Sequence, residues 1–434
     1  MDPDKLVELC GEFLRLNSAN PPGNEEESVL FLGSILRKEG IETEIISAAP
    51  KRANLFARLP GKRSHMPLVI LSHIDTVPAR AEEWELDPFG GEIKDGYLYG
   101  RGALDMKVQA LCQLFAFLDL AKEGIIPERD VIYLATCDEE TGGKLGVRLM
   151  LEKKQPLQNA EFVLSEGGFI VEDEGRLHAQ ISVTEKKVSQ FRIAAKGKGG
   201  HGSTPHRDNP NEKIIQAAYK ILSYEWPIKL HPVAVKYLDG MLTGKTMGEF
   251  KYTSLKNALK RKAFLNFIEE NPAVNALLRN TVTCTILRGG EKVNVIPTDS
   301  YATFDARILP TEKHEKFYAR IKRIAGKEVE VVPLSEAFER AYYSNYRTKY
   351  FELIRDEVRK IHGPIPVLPY MTTGATDLRY FRALGIPSYG FFPIVLTKEE
   401  IMRMHGINER VSLENIVRGY EVTRNIIKGL ATLK

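Results

Sequence analysis

Short apolar runs alternate with segments of helical length through residues 1–170, and this alternation constrains the fold more than any other feature. The runs Leu68–Leu71, Val131–Thr136 and Phe162–Leu164 are almost wholly apolar, and helical patterns over Met106–Lys122 and Lys144–Lys153 lie between them. Strands that lack polar alternation are typical of parallel sheets covered on both faces. The sequence therefore predicts an α/β fold, a mostly parallel sheet with helices on both faces.

A second, smaller domain is expected inside this one, because the pattern changes in the middle of the chain. The strand patterns Ser189–Ala195 and Tyr301–Ile308 are separated by a long stretch of helical fragments, and helix–strand alternation then resumes. We therefore expect one domain made of residues 1–188 and 334–434, interrupted by an inserted α+β domain of residues 189–333.

The composition argues against several classes of protein. The chain has 434 residues, and 61 Lys and Arg against 57 Asp and Glu leave a formal net charge of only +4. So small an excess gives no reason to expect a nucleic-acid partner. The four cysteines form no C-x-x-C pair, which argues against a cysteine zinc site or a disulfide scaffold. With no apolar stretch of membrane-spanning length and an acidic N-terminus, we expect a cytoplasmic protein with no membrane partner.

Histidines and carboxylates follow the predicted strands or precede a predicted helix. They are His73 and Asp75, Asp105, Glu139 and Glu140, Glu166, and His405. Taken singly, each has an ordinary structural explanation. Asp105 is a good helix-capping residue, and the acidic run Asp138–Glu140 could be a solvated loop.

Their joint placement favours a functional site. Parallel strands bring their carboxyl ends to one edge of a sheet, where open α/β sheets bind ligands. Two histidines with several carboxylates and no cysteine suit a dinuclear zinc site. A carboxylate beside a metal-activated water can remove its proton and return it to a leaving group. The residues alone therefore indicate a two-metal hydrolase.

Eight short motifs span most of the chain. They are Ser72–Pro78, Gly100–Lys107, Asp138–Gly143, Glu166–Gly168, Gly200–His206, Asn294–Pro297 with Asp305–Arg307, Gly374–Asp377, and His405. In this order they resemble the M20 family of zinc aminopeptidases, carboxypeptidases and aminoacylases. Within that family, Glu139–Gly143 and Glu166–Gly168 are most similar to the branch of carboxypeptidase S and the N-fatty-acyl-amino-acid hydrolase/synthases.

The resemblance implies that the larger domain is a dizinc catalytic domain. His73 and Glu166 would then bind one zinc ion, Glu140 and His405 would bind the other, and Asp105 would bridge the two. Two Zn²⁺ per chain are expected, with Co²⁺ or Mn²⁺ as substitutes.

The resemblance also implies the roles of the residues around these ligands. Glu139 would be the general base and acid, and Asp75 would orient His73. The bridging aspartate of the family is followed by a cis peptide bond, so one is expected between Asp105 and Met106.

The inserted domain is similar to the lid and dimerisation domain of the family, which implies a homodimer. His201 would reach the neighbouring subunit's active site and stabilise the oxyanion there. The residues that would bind the carboxylate or carbonyl end of the substrate are Asn294, Arg307, Gly374, Ala375 and Thr376.

The expected activity is therefore hydrolysis of the amide bond in N-acyl amino acids or short peptides with a free carboxylate. Two alternatives stay open. The same site could run in the condensing direction as an N-acyl amino acid synthase, because one site catalyses both directions. The chain could instead be a catalytically inactive binding paralogue, although the base Glu139 and all five ligand positions are present.

Overall fold

The computed structural model describes residues 1–62, 64–247, 249–336 and 343–434, which form two compact units. The larger unit contains Met1–Val183, Ser344–Tyr370 and Thr376–Lys434, and the second unit contains Thr184–Tyr343 and Met371–Ala375. The larger unit is therefore discontinuous in sequence. The bounds of the inserted domain given above stay a prediction.

The strands of the described residues follow in chain order. They are β1 (Thr43–Ala49), β2 (Arg52–Leu59), β3 (Leu68–His73), β4 (Ile93–Lys94), β5 (Tyr97–Tyr99), β6 (Val131–Thr136), β7 (Phe162–Ser165), β8 (Ile170–Asp173), β9 (Arg176–Glu185), β10 (Lys187–Val188), β11 (Phe191–Lys196), β12 (Gly200–His201), β13 (Thr246–Met247), β14 (Phe250–Lys251), β15 (Thr281–Arg288), β16 (Val295–Ile296), β17 (Asp299–Ile308), β18 (Glu330–Pro333), β19 (Val367–Thr372), β20 (Ser388–Gly390), β21 (Val395–Thr397) and β22 (Arg410–Ser412).

The α-helices of the described residues are α1 (Pro3–Arg15), α2 (Glu26–Lys38), α3 (Lys107–Lys122), α4 (Leu149–Lys153), α5 (Gln155–Gln158), α6 (Pro210–Leu222), α7 (Pro232–Leu242), α8 (Leu255–Ala258), α9 (Lys262–Glu270), α10 (Pro272–Leu278), α11 (His314–Ala325), α12 (Lys349–His362), α13 (Leu378–Ala383), α14 (Lys398–Ile401) and α15 (Leu413–Thr432). Short 3₁₀ turns cover Ala81–Glu83 and Glu139–Thr141, and a π-helical turn over Lys144–Arg148 leads into α4.

The central sheet of the larger unit has the strand order β1-β2-β6-β3-β7-β20-β9-β8-β21, with β19 paired to β9. Its middle strands β6, β3, β7 and β20 run parallel. The pairs β1–β2 and β8–β9 towards its edges are antiparallel, because each is joined by a short turn. The predicted α/β class with a parallel sheet at its centre is confirmed.

Burial explains why the middle strands lack polar alternation. Every residue of β3, β6 and β7 is buried, as expected of strands covered on both faces. The helix α3 is apolar almost all round because it packs against the sheet and also against α1 and α15. Among the described residues, no helix combines the length and the apolar character needed to cross a bilayer.

The second unit contains an antiparallel sheet with helices packed on it. Its long strand β17 pairs with β10 and β11 along one side and with β15 along the other, and β18 pairs with β11. Burial alternates along β11 and β17, so one face of the sheet forms a core. In that core, Phe191 stacks on Phe304 with ring centroids 4.9 Å apart and meets Phe317 of α11. The smaller α+β domain predicted from the sequence is thus present.

Candidate metal centre

The carboxyl ends of β3, β6 and β7 lie at one edge of the parallel sheet and carry three of the predicted site residues. His73 is the last residue of β3, Glu139 follows β6 after a short turn, and Glu166 comes directly after β7. Each of these three offers a ligand atom within 4.8 Å of the other two. His73, Asp105 and Glu140 form a second group of the same kind, so His73 belongs to both.

Asp105 lies between two imidazole rings. Its Oδ1 is 2.8 Å from Nε2 of His73, and its Oδ2 is 3.1 Å from Nε2 of His405. The same His405 nitrogen is 3.2 Å from Oε1 of Glu140. The peptide bond between Asp105 and Met106 is cis, as expected, and the helix that follows has no side-chain cap. Asp105 therefore faces the histidines and does not cap the helix.

Asp75 contacts both His73 and the acidic turn. Nδ1 of His73 is 3.0 Å from the main-chain oxygen of Asp75 and 3.6 Å from its carboxylate. The carboxylate accepts hydrogen bonds from the main-chain N–H groups of Glu139 and Glu140, each at 3.1 Å, and from Asn20 at 2.9 Å. An Nδ1–H donor to the carbonyl leaves Nε2 of His73 free to act as a ligand. Asp75 thus contacts the ring through its main-chain oxygen and the turn through its side chain.

A polar network that the sequence did not reveal holds the turn carrying Glu139 and Glu140. Asp138 starts the turn with a φ of +75°, and its carboxylate accepts a hydrogen bond from the Thr141 hydroxyl at 2.6 Å. Arg52 contacts the same carboxylate at 3.2 Å from a strand far away in sequence. Asp138, the first acid of the run, therefore stabilises the turn. Only its tertiary contacts distinguish it from the next two acids, Glu139 and Glu140.

Burial and mutual repulsion set the charge of the site. Burial, together with the carboxylate of Glu166, raises the pKa of Glu139 well above its ordinary value. Burial and the nearby Asp105 raise the pKa of Glu166 to about 8. Burial opposes the ionisation of Asp105, but hydrogen bonds from His405 and His73 hold its pKa well below the usual range. Burial likewise disfavours a charged His405, yet the same Asp105 contact helps to raise its pKa to about 11.

The donor set fits a pair of divalent cations. Several carboxylates face two imidazoles, so the protein supplies more negative than positive charge at this edge of the sheet. Imidazole nitrogen and carboxylate oxygen without thiolate are ligands suited to zinc and to related divalent ions such as cobalt and manganese. The two groups share His73, and Asp105 and Glu140 of the second group also contact His405, so ligand atoms for two adjacent ions lie close together.

In the second unit, His201 and Asn294 are neighbours. His201 ends β12, which pairs with β16, and the N–H of Gly202 donates to the main-chain oxygen of Asn294 at 2.8 Å. The His201 side chain is exposed, and its Nδ1 lies 2.7 Å from Oγ of Ser203. This short ladder adjoins the start of β17.

Arg307 lies at the other end of β17, where its guanidinium binds the Asp305 carboxylate at 2.9 and 3.1 Å. A strand of ten residues spans roughly 30 Å, so Arg307 and the His201 turn are far apart within this unit. Gly374 and Ala375 also belong to the second unit, whereas Thr376 belongs to the larger one.

The chain matches the model of one protein family and resembles several curated proteins. The family model for peptidase family M20/M25/M40 matches residues 69–429. The chain is 29% identical over 371 residues to N-fatty-acyl-amino acid synthase/hydrolase PM20D1 of Homo sapiens, covering 83% of this chain and 74% of that protein. It is 26% identical over 437 residues to aminoacylase-1 of Mus musculus, covering 98% of this chain and 95% of that protein.

The fold is also found among solved structures. The M20 family metallo-carboxypeptidase Sso-CP2 from Sulfolobus solfataricus matches with a TM-score of 0.76 at 18% sequence identity, covering 99% of each chain. The range matched by the family model, 69–429, contains every predicted site residue.

Proposed function

Because the chain belongs to peptidase family M20/M25/M40, whose members hydrolyse amide bonds, we propose that it hydrolyses N-acyl amino acids or short peptides carrying a free carboxylate. The observation that carries this proposal is the convergence of His73, Glu139 and Glu166 at the end of three parallel strands. It brings a buried carboxylate beside a set of nitrogen and oxygen ligands.

In this proposal, His73 and Glu166 would hold one ion, Glu140 and His405 would hold the other, and Asp105 would be shared between them. The separate contacts of Asp105 with the two imidazoles support the bridging role, because each of its oxygens faces a different histidine. We propose zinc as the metal, with cobalt or manganese as substitutes. When bound, such an ion pair lowers the pKa of water and polarises a carbonyl.

Glu139 is the proposed general base and acid. Its raised pKa, caused first by burial, suits a group that must accept a proton near neutral pH and then release it. Its main-chain N–H is fixed by Asp75, which limits the positions that the carboxylate can take. Glu139 would take a proton from the attacking water and deliver it to the departing amine.

The residues of the second unit would bind the substrate. Arg307 can hold the free carboxylate bidentately, as it already holds Asp305. The segment Gly374–Thr376 would offer further donors to that end of the substrate. His201 would donate to the oxyanion, and Asn294, its neighbour, would bind the substrate together with it.

The spacing of these residues supports the proposed homodimer. An amino-acid amide is far shorter than the roughly 30 Å of β17 that separates Arg307 from the His201 turn. One chain therefore cannot supply both residues to one substrate. We propose that His201 acts in the active site of the partner chain.

The surface of the second unit offers a matching interface. Ile215, Tyr219 and Leu222 of α6 recur at helical spacing and are 59%, 72% and 51% exposed. On the edge strand β15, Ile286 and Leu287 are also exposed. An exposed apolar stripe beside an open strand edge is typical of a surface that a second chain covers.

The residues present favour an enzyme over a binding paralogue, which would not need a buried Glu139 beside the ligand set. They do not distinguish hydrolysis from the condensing direction, because both use the same groups, and the name of the relative PM20D1 includes both. The cytoplasmic location expected from the composition stays a prediction that cell fractionation would test.

The test is a hydrolysis screen on the zinc-loaded protein. N-acyl amino acids of rising acyl length are compared with free dipeptides and with the same compounds amidated at the carboxylate. We expect turnover of the free acids and its loss on amidation, because Arg307 then has no carboxylate to bind. Equal turnover of free and amidated compounds, or none of either with two ions bound, would overturn the proposal.

A further inference from the structure

Arg101 and Glu409 form a buried ion pair beside the proposed ligands. Arg101 lies four residues before Asp105, and Glu409 lies four residues after His405. The guanidinium donates to Oε2 of Glu409 at 2.6 Å, and the two side chains are only 4% and 0% exposed. The proposed reaction uses neither residue. Burying two charges is costly unless the geometry and the remaining hydrogen bonds are good.

Glu409 binds the loop that ends at Asp105. Its Oε1 accepts the N–H groups of Leu104 at 2.7 Å and of Asp105 at 3.2 Å, and its Oε2 accepts the N–H of Gly102 at 3.2 Å. With the Arg101 contact, four donors converge on one carboxylate, which is its full accepting capacity. A glutamine here would direct an NH₂ group at N–H donors, so this loop requires a carboxylate.

Arg101 binds the turn that carries His405. It donates to the main-chain oxygens of His405 at 3.3 Å and Gly406 at 2.9 Å. His405 has a φ of +59°, a conformation that a non-glycine residue adopts only where the surroundings enforce it. On its other side, the guanidinium lies 5.2 Å from the ring centroid of Trp84, which fixes it in place.

We propose that Arg101 and Glu409 are positioning residues that hold Asp105 and His405 together and so set the affinity of the metal ion bound with Glu140. His73 and Glu166 are placed by strands β3 and β7, which the ion pair does not touch. The effect should be larger on the ion held with Glu140 and His405, because both Asp105 and His405 are positioned by the ion pair, whereas the other ion shares only Asp105 with it. This inference rests on the proposed function, since it takes these residues as ligands.

The experiment measures zinc binding to the metal-free protein by competition with a chromophoric chelator. The wild type should bind two ions. In Glu409→Gln, one of the two should bind about 10–100-fold more weakly, as is usual when a group that orients a ligand is lost, while the other, which shares only Asp105, should weaken less. Arg101→Lys keeps the charge but loses the forked contact with both chain segments, and it should weaken the same ion.

A second measurement does not involve metal. Hydrogen exchange of the Leu104 and Asp105 amides in the metal-free protein should be faster in Glu409→Gln than in the wild type, because their acceptor is changed. Unchanged protection of these amides would overturn the proposal.

The chain offers a matched control in Glu161→Gln. Glu161 pairs with Arg129 at 2.7 Å, with side chains 19% and 1% exposed. This ion pair lies at the starts of β6 and β7, opposite the strand ends that carry the site. The control variant should lower thermal stability and leave both zinc affinities unchanged.

The outcomes separate this inference from the proposed function. If Glu409→Gln binds each of the two ions as tightly as the wild type does, the positioning role is wrong, and the proposed function is unaffected. The same loss of affinity in Glu161→Gln would overturn the positioning role too, since the effect would then follow from stability. A wild type that binds fewer than two ions would overturn the proposed function, and this inference with it. If Glu409→Gln does not fold, Arg101→Lys carries the test.

Discussion

The two units differ in the burial of the side chains predicted to be functional: most of those in the larger unit are buried, although the His405 side chain is 47% exposed. In the larger unit, His73 and Glu139 are buried and fixed by main-chain contacts with Asp75. In the second unit, His201 is exposed at a strand end and an uncovered apolar stripe runs along α6. The proposed metal ligands all belong to the larger unit. The exposure of His201 and of the α6 stripe supports the proposal that a second chain completes the site.

Replacement of Glu139 should have the largest effect. Glu139→Gln removes the proposed base while keeping its shape, so kcat should fall by about 10²–10⁴-fold, the usual contribution of a general base. Zinc content should stay at two ions, because Glu139 is not one of the proposed ligands. Steady-state kinetics and metal analysis check this. Glu152→Gln, a 65% exposed glutamate on α4, is the control and should behave as wild type. Near-normal turnover in Glu139→Gln would contradict the assignment.

Loss of His201 should have a smaller effect on the chemistry, and it tests the difference between the units directly. His201→Ala should lower kcat by about 10²–10³-fold, as expected when one oxyanion donor is removed. Ser203→Ala is a suitable control, since it removes only the hydroxyl that contacts Nδ1.

Mixing the two inactive variants sharpens that test. A mixed dimer of Glu139→Gln and His201→Ala chains contains one site with an intact base and an intact partner histidine. After random exchange of subunits, about a quarter of wild-type activity should return, because half of the dimers are mixed and each has one working site. No recovery in demonstrably mixed dimers would show that His201 does not act across the interface.

The apolar stripe on α6 gives the next prediction. Tyr219→Asp places a charge where Tyr219 is 72% exposed, and it should shift the protein towards the mass of a single chain in light scattering. Activity should fall to the level of His201→Ala, while zinc binding in the larger unit persists. Ile126→Asp is the control, because Ile126 is equally prominent at 67% exposed but lies in the larger unit. Unchanged mass in Tyr219→Asp would place the interface elsewhere.

Local sequence patterns predicted some features of the larger unit and missed others. The parallel centre of the sheet and the convergence of His73 and Glu139 followed from local patterns, because strand ends of a parallel sheet meet at one edge. The contacts of Asn20 and Arg52 with the acidic turn join residues far apart in the chain, and no local pattern indicates them. The sequence predicted that Asp75 would orient His73, but not that the main-chain oxygen of Asp75 would contact the ring, since every residue has such an oxygen.

The role of Glu409 could not be predicted from the sequence either. It lies four residues after His405, a spacing that suggests no function, yet it binds three main-chain N–H groups of the loop that ends at Asp105. No sequence pattern identifies a buried carboxylate that accepts hydrogen bonds from main-chain N–H groups. Only the fold distinguishes it from an exposed glutamate.

A buried lysine in each unit gives the smallest predicted effect, a change in how stability depends on pH. Burial lowers the pKa of both Lys107 and Lys186 to about 7, from an ordinary value of 10.5. Lys107 lies next to the proposed ligands, whereas Lys186 donates to Arg279 and Thr281 in the second unit. Lys186 is therefore the cleaner position to change.

The sign of the pH effect follows from proton binding. Between about pH 7 and 10.5, the unfolded chain binds a proton at Lys186 that the folded chain does not, so the free energy of unfolding rises with pH. Lys186→Met should remove up to about 1.4 kcal/mol per pH unit of that slope. Denaturant unfolding at several pH values measures it, with Lys196→Met, an exposed lysine on β11, as the control. An unchanged slope in Lys186→Met would mean that Lys186 is protonated in the folded protein across this range, and that its burial leaves it as freely ionised as an exposed side chain.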